Sequence, residues 1–155
     1  MQHFGEQDKS ITLISHRGNI DGRTPERENH PDYIDEAIAL GYDVEIDLWS
    51  VDGVLLLGHD EPQYRISQHW LNERVTKLWV HCKNIEVIEW MNTIGNFIYF
   101  WHQEDTMTLT SFGHIWAYPG KQPIKNSIAV MPEIYNEEVI HCKGVCSDYI
   151  KKYNI

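Results

Sequence analysis

Short apolar runs recur along the chain, and polar segments with turn-forming residues separate them. Runs of this length that are rich in branched and aromatic side chains predict β-strands. The predicted strands span residues 11–15, 43–49, 54–57, 78–82, 96–101, 114–118, 127–131 and 144–147. A helical spacing of apolar residues follows Pro31 and stops at Gly41, which predicts a helix ended by glycine. Shorter helices are predicted at residues 67–74, 85–91 and 136–142. Ser67 and Asn84 are placed to cap the first two of these.

The alternation of strands and helices predicts a parallel α/β fold in one domain, residues 1–155. Strand 11–15, a crossover with a helix and strand 43–49 form a βαβ unit, whose strands are parallel. Polar side chains repeatedly follow the strands, at the end where parallel sheets and barrels carry their active sites. We therefore predict a shortened parallel β/α barrel of the TIM type with some helices missing. The short connections at 103–113 and 119–126 leave little room for packed helices, so we leave open a homo-oligomer in which a second subunit covers exposed sheet.

Composition narrows the class of partner. Apolar residues make up 42% of the chain, which favours a folded protein over a disordered one. The formal charge is −10, with 23 acidic against 13 basic residues, which opposes binding to nucleic acid or to anionic membranes. No stretch approaches the ~20 apolar residues of a membrane span, and residues 1–10 have no apolar signal core. These features predict a soluble, cytoplasmic protein.

The chain has three cysteines, and the odd number favours reduced thiols over disulfides. Cys142 and Cys146 follow His141 at a spacing that could suggest zinc ligands. A second pair of ligands at a finger-like spacing is absent from the sequence, so a zinc site there is disfavoured.

Glu45 and Asp47 are the most informative pair of charged residues. On an extended strand they point to the same face, and burying two carboxylates together is costly unless something neutralises them. A divalent cation would do so, because hard cations prefer oxygen ligands. A solvated strand face, or pairing with Arg or Lys, is the alternative. His16, Arg17 and His59 also lie at the ends of predicted strands, which favours the cation site.

Several short motifs follow one another across residues 11–60. They are His16-Arg17-Gly18, Pro25-Glu26 (or the nearby Glu28-Asn29), Glu45-Ile46-Asp47, Asp52-Gly53 and His59-Asp60. In order and spacing they resemble the glycerophosphodiester phosphodiesterase family, which is part of the phosphatidylinositol-phospholipase-C-like barrels. The sequence departs from that family at residues 81–83, which read His-Cys-Lys where the family commonly carries Glu-x-Lys. Residues 144–149 are similar to the family's last strand, so the resemblance implies a shortened whole barrel.

The resemblance implies a metal-dependent phosphodiesterase, in which His16 and His59 are the acid/base pair. The metal would be a divalent cation (Mg, Ca, Mn or another) on Glu45 and Asp47, where it polarises a phosphoryl oxygen. His81 is the candidate third ligand, because imidazole suits Mn, Fe, Ni or Zn better than Ca or Mg; the alternative is a strand-end histidine satisfied by backbone.

Arg17 and Lys83 are the candidates for binding phosphate, and Arg17 could also pair with an acidic residue across the site. We expect Asp60 to orient His59 or to cap a turn rather than to bind the metal. The weakest candidates either contact substrate or are solvated loop charges: Glu26, Glu28, His102, Glu104 and Glu133.

The expected substrate is a small phosphodiester, either a glycerophosphodiester or a related phosphoglycerol compound. Two alternatives stay open at this point. The first is cleavage by an internal hydroxyl, which yields a cyclic phosphate. The second is a non-catalytic barrel that binds a phosphorylated ligand.

Overall fold

A computed structural model describes residues 11–154, and within them lie three α-helices, ten strands and two 3₁₀ turns. The helices are α1 (Pro31–Ala39), α2 (Gln68–Glu73) and α3 (Ile85–Ile94). The strands are β1 (Thr12–His16), β2 (Asp43–Val51), β3 (Val54–Leu57), β4 (Tyr64–Ile66), β5 (Leu78–Cys82), β6 (Ile98–Trp101), β7 (Met107–Leu109), β8 (Ile115–Ala117), β9 (Ile128–Val130) and β10 (Gly144–Ser147). The 3₁₀ turns are Pro132–Tyr135 and Ile150–Tyr153.

All ten strands belong to one sheet, which curls into a half-barrel. Its centre is parallel, in the order β6-β5-β2-β1-β10-β9-β8. Antiparallel strands extend it: β3 pairs with the distal half of β2, β4 pairs with β3, and β7 pairs with β8. The sheet is therefore mixed, and it keeps the carboxyl ends of seven parallel strands together on one rim.

The prediction of a TIM-type barrel is wrong. The three α-helices of the described residues all precede β6, and the sheet contains three antiparallel pairs. After β6 the chain turns into the β7–β8 hairpin, because the short polar connections that the sequence shows there cannot hold a packed helix. Trp101, Leu109 and Phe112 are exposed in this helix-free part.

Several local predictions are confirmed. β1 and β2 are parallel, and the side chains of Ser67 and Asn84 accept hydrogen bonds from the first turns of α2 and α3. The helix predicted at 136–142 is wrong, since those residues form turns after the 3₁₀ turn Pro132–Tyr135. The strands β4 and β7 were not predicted, because each has three residues and most of these are at least partly exposed.

The buried apolar residues form an outer core, an inner core and a smaller cluster of Tyr42, Val145 and Ile150. The outer core lies between the sheet and the helices and contains Ile34, Ile46 and Leu71. The inner core lies inside the curl, where Trp79, Phe100 and Trp116 of β5, β6 and β8 pack with apolar residues of the neighbouring strands. This aromatic packing closes the space beneath the rim that carries the polar strand ends.

The helices within residues 11–154 include none with the length and apolarity needed to cross a membrane. The prediction about residues 1–10 falls outside the described part of the chain. Cys82, Cys142 and Cys146 are free thiols and are buried. Cys146 lies in the inner core, whereas Cys142 contacts Ser127.

Candidate active site

The parallel register around β2 brings the predicted site residues together. His16 of β1 lies beside Glu45, and His81 of β5 lies beside Asp47. Because Glu45 and Asp47 are two residues apart, both carboxylates reach the same side of the sheet. The two parallel neighbours of β2 therefore add the imidazoles of His16 and His81 to the pair of carboxylates on β2.

The backbone of β2 also holds the segments that follow the neighbouring strands. Glu45 O accepts a hydrogen bond from Arg17 N (2.9 Å), and Asp47 O accepts one from Gly58 N (3.1 Å). Leu48 O accepts one from Lys83 N (2.9 Å). Each of these bonds fixes a candidate site residue or its immediate neighbour, so β2 is the strand around which the site is assembled.

Glu45, Asp47 and His81 form what we call the carboxylate–imidazole cluster, and the potential ligand atoms of the three lie within 4.8 Å of one another. His81 Nδ1 lies 3.1 Å from Asp47 Oδ1 and 3.9 Å from Glu45 Oε1. The two carboxylates are almost completely buried, with side-chain exposures of 3% for Glu45 and 0% for Asp47. Of the alternatives for this pair, a solvated strand face is therefore excluded.

The cluster has unsatisfied acceptors and an excess of negative charge. Glu45 Oε2 and Asp47 Oδ1 are buried and accept no hydrogen bond from residues 11–154. Burial and the adjacent Asp47 carboxylate raise the pKa of Glu45 well above its ordinary value. Burial would also raise the pKa of Asp47, but His81 and Arg17 outweigh it and hold that pKa below its ordinary value. Unpaired buried oxygens and a carboxylate that resists ionisation are what a site for a divalent cation would show before the cation binds, so these residues fit a metal.

Arg17 bridges the cluster and the loop after β1. Its Nε lies 3.2 Å from Asp47 Oδ2, and its Nη1 donates to Glu28 Oε1 (3.2 Å). The pairing with acidic residues that the sequence left open is therefore present. The guanidinium group has five N–H donors, so these two partners leave donors for an anion in the cavity.

Asn29 fixes the position of Asp47. Its amide Nδ2 donates to Asp47 Oδ2 (2.9 Å), and its Oδ1 accepts from Asp47 N (2.9 Å). Asn29 has a φ of +66°, in the left-handed region that asparagine tolerates better than most residues. In the sequence Asn29 is only part of the alternative motif Glu28-Asn29, which assigns it no role of its own.

Asp148, at the end of β10, is a site residue that sequence analysis missed. His16 Nδ1 and Asp148 Oδ1 are 2.8 Å apart, and Asn19 Nδ2 also donates to Asp148 Oδ1 (2.8 Å). Burial opposes ionisation of Asp148, but these bonds hold its pKa below the ordinary value. The carboxylate accepts the Nδ1 proton of His16, which directs Nε2 toward Glu45, 3.6 Å away. The available signal was that Asp148 follows a strand, as the other site residues do.

His59 lies on the loop after β3. Its Nδ1 is 2.7 Å from Asp60 Oδ1, which agrees with the orienting role predicted for Asp60. Burial and the nearby charge of Arg17 lower the pKa of His59 below its ordinary value. Gly58 has a φ of +155°, and a Cβ there would lie 2.0 Å from Glu61 O, so the loop requires glycine at this position.

Two cavities meet at the rim. The first, of about 350 Å³, is lined by His16, Arg17, Glu45, His59, His81 and Lys83, and by the aromatic side chains Phe100, His102, Trp116 and Tyr118. The second, of about 640 Å³, is mostly polar and includes Glu28, Asp60 and Asp148. His16, Arg17 and His59 line both cavities, so they stand at the junction.

The weaker candidates separate into different roles. Glu28 binds Arg17, Arg23 and Asn19, so it organises the loop after β1. Glu133 accepts hydrogen bonds from the side chains of Ser147 and Tyr153 and therefore has a structural role.

Three other candidates differ in exposure. His102 lines the smaller cavity and stacks on Tyr118, with ring centroids 3.9 Å apart. Glu26 and Glu104 are exposed, as expected of solvated loop charges.

Comparison of the chain with known protein families, curated proteins and solved structures found no match.

Proposed function

We propose that this chain is a metal-dependent phosphodiester hydrolase that acts on a small glycerophosphodiester or a related phosphoglycerol compound. One observation carries the proposal. His16, His59, Arg17 and Lys83 line the same small cavity as Glu45 and His81, two members of the buried carboxylate–imidazole cluster. Phosphodiester hydrolysis needs these groups together: bases and acids for proton transfer, and positive charge for the phosphate.

The phosphate is held at the junction of the two cavities by Arg17 and Lys83. Arg17 is preorganised by Glu28 and Asp47, and its charge persists because neighbouring carboxylates raise the pKa of the guanidinium despite its burial. Arginine matches the geometry of phosphate oxygens, and lysine adds a second positive charge. Together they offset the negative charge of the protein where the anionic substrate binds.

His59 and His16 transfer the protons. His59 has a lowered pKa, so it is neutral near pH 7 and suited to accept a proton from the attacking water. Asp60 engages its Nδ1, which leaves Nε2 for that proton. His16 in its protonated form then gives the Nε2 proton to the leaving oxygen while Asp148 holds Nδ1. The water oxygen forms the new bond to phosphorus as the bond to the leaving alcohol breaks.

Glu45, Asp47 and His81 would hold the divalent cation. The bound cation supplies Lewis acidity and positive charge next to the phosphoryl oxygens. Asn29 and Arg17 keep Asp47 in place, and His16 borders Glu45, so the cluster is directly connected to the phosphate-binding and proton-transfer groups.

The two cavities support a diester over a monoester. A diester carries one substituent on each side of phosphorus, and His16, Arg17 and His59 separate a polar cavity from one with aromatic walls. The motif order across residues 11–60, which resembles glycerophosphodiester phosphodiesterases, supports the same substrate class. The proposed substrate is therefore a small, soluble diester, and we propose the cytoplasm as the compartment where the protein meets it.

The test is hydrolysis of bis(p-nitrophenyl) phosphate and of a glycerophosphodiester panel, with and without added divalent metal. We expect His16→Ala and His59→Ala each to lower kcat by about a hundredfold or more. His69→Ala is the matched control, because His69 is exposed on α2 away from the cavities. Absence of metal-stimulated turnover on every diester would refute the proposal.

Phosphorus NMR of the product distinguishes the two alternatives. A cyclic phosphate would show that an internal hydroxyl replaces water as the nucleophile. Binding of glycerol phosphate without turnover of any diester would instead identify a non-catalytic protein that binds a phosphorylated ligand.

A further inference from the structure

The carboxylate–imidazole cluster has an unusual donor set for a site that handles phosphate. It offers two carboxylates and one imidazole, where three carboxylates would suit Mg²⁺ or Ca²⁺. Hard cations of that kind prefer oxygen ligands throughout, whereas imidazole suits iron, nickel and zinc. The nature of the third ligand therefore decides which cations the cluster can hold.

The structure fixes which nitrogen of His81 faces the cluster. His81 Nε2 lies 3.1 Å from the carbonyl oxygen of His102. A carbonyl oxygen only accepts hydrogen bonds, so Nε2 carries a proton and Nδ1 is the nitrogen that can bind a cation. A bound cation would take the place of a proton on Nδ1. Nδ1 is the atom 3.1 Å from Asp47 Oδ1. A backbone carbonyl that holds the outer nitrogen in this way is the usual support of a metal-binding histidine.

The ring of His81 is also held in orientation. It stacks on Phe100 with 5.0 Å between ring centroids and 16° between ring planes. The parallel register of β5 with β6 places these two residues side by side. Nδ1 is therefore directed by packing as well as by the hydrogen bond, and the ligand is preorganised.

Within residues 11–154, no third carboxylate near the cluster is free to replace the imidazole. Among residues 11–154, the nearby acids Glu28 and Asp148 are already bound by Arg17, Asn19 and His16. The carboxylates of Glu45 and Asp47 balance the two charges of a divalent cation when both are ionised. The cation and its three ligands together are then electrically neutral. The nitrogen ligand among them favours a softer cation.

We propose that the cluster selects a first-row transition cation of the iron-to-zinc group over Mg²⁺ and Ca²⁺, and that His81 Nδ1 determines this selectivity. The inference rests on the metal site of the proposed function, but it does not depend on the reaction. It concerns binding alone, so it can fail while the proposed hydrolysis stands.

Binding of Zn²⁺, Co²⁺, Mg²⁺ and Ca²⁺ to the full chain, measured by calorimetry and by the visible spectrum of Co²⁺, tests the proposal. We expect Zn²⁺ and Co²⁺ to bind one site at least about tenfold more tightly than Mg²⁺ or Ca²⁺. The decisive variant is His81→Asn, which puts an amide oxygen near the position of Nδ1. It should lower Zn²⁺ and Co²⁺ affinity by about 10- to 100-fold and leave Mg²⁺ affinity unchanged or higher. His69→Asn is the control and should change neither.

Each other outcome is decisive. Equal affinity for Mg²⁺ and Zn²⁺ overturns the inference and leaves the hydrolase to be judged by its turnover with Mg²⁺. Unchanged Zn²⁺ binding in a folded His81→Asn variant also overturns it, because the cation then binds elsewhere. Binding of no cation removes the metal from the proposed function as well.

If His81→Asn does not fold, as judged by near-ultraviolet circular dichroism, the wild type still provides a test. Bound Co²⁺ should broaden and shift the ring signals of His81 before those of His69. Failure to perturb His81 would overturn the inference.

Discussion

The contact between Asn29 and Asp47 predicts a large effect of a single substitution. Asn29 is 1% exposed, and its amide makes two hydrogen bonds of 2.9 Å to Asp47. Asn29→Ala removes both and leaves the Asp47 N–H and one carboxylate oxygen without that partner. A hydrogen bond to a charged group contributes about 1.5–3 kcal/mol and one between neutral groups about 0.5–1.5 kcal/mol. The expected loss from the two bonds is therefore about 2–4 kcal/mol.

The backbone adds a second cost, which a control can isolate. Asn29 has a φ of +66°, and alanine in the left-handed region costs about 1 kcal/mol or more. Asn126 has a φ of +60° and is exposed, and its side chain makes no hydrogen bond to residues 11–154. Asn126→Ala therefore carries the backbone cost without the loss of bonds. The difference between the two variants measures what the Asn29 amide contributes.

Urea unfolding followed by tryptophan fluorescence gives the free energy of unfolding of each variant. A loss of about 2–4 kcal/mol beyond the control is a large part of the stability of about 5–15 kcal/mol that is typical of single domains. A difference below about 0.5 kcal/mol would refute the reasoning, because leaving the buried Asp47 N–H unpaired should by itself cost more than that. The variant should also weaken cation binding, since Asp47 loses the group that orients it.

Three further predictions concern other parts of the site and core. Asp148 and Glu28 have lowered pKa values in the folded protein. Their contribution to the free energy of unfolding is therefore complete above the pKa of the unfolded chain and is lost as the pH falls through the lowered pKa. In unfolding measured as a function of pH, Asp148→Asn should flatten this loss of stability in acid. Gly58→Ala should reduce kcat more than it reduces the free energy of unfolding, because the new Cβ would displace the loop that carries His59. Steady-state kinetics and urea unfolding of the same variant measure the two effects. Trp116→Ala should destabilise the inner core by about 3–5 kcal/mol in urea unfolding.

Contradicting results are specific in each case. An unchanged acid slope in Asp148→Asn would show that His16 and Asn19 do not stabilise that carboxylate. Full activity in Gly58→Ala would show that the loop can shift without moving His59. A loss below about 1 kcal/mol in Trp116→Ala would show that the inner core can collapse around the missing ring.

The sequence was most informative where chemistry and local periodicity act over short distances. The βαβ unit of β1, α1 and β2 and the caps at Ser67 and Asn84 were predicted correctly, because each depends on residues close in sequence. Glu45 and Asp47 could be recognised as a pair for the same reason. The seven candidate site residues remain predictions in their roles.

The helix content and the partners of the site residues could not be predicted in the same way. A pattern of strands with ionisable ends is compatible both with a barrel covered by helices and with a curled sheet. Only the short connections at 103–113 and 119–126 favoured the curled sheet. Asn29 and Asp148 became site residues through contacts that join residues 18 positions apart and 132 positions apart. No local pattern encodes such contacts.

The half-barrel also explains how a site of this kind can exist without the missing helices. The candidate residues lie on β1, β2 and β5 and on loops whose backbone is hydrogen-bonded to β2. β6 and β8 contribute aromatic walls from their inner face, and the described residues after β6 contain no α-helix. The geometry of the cluster depends on the register of three parallel strands and on the packing inside the curl. The helix-free outer surface can therefore vary in sequence, as at Leu109, without moving the ligand atoms of Glu45, Asp47 and His81.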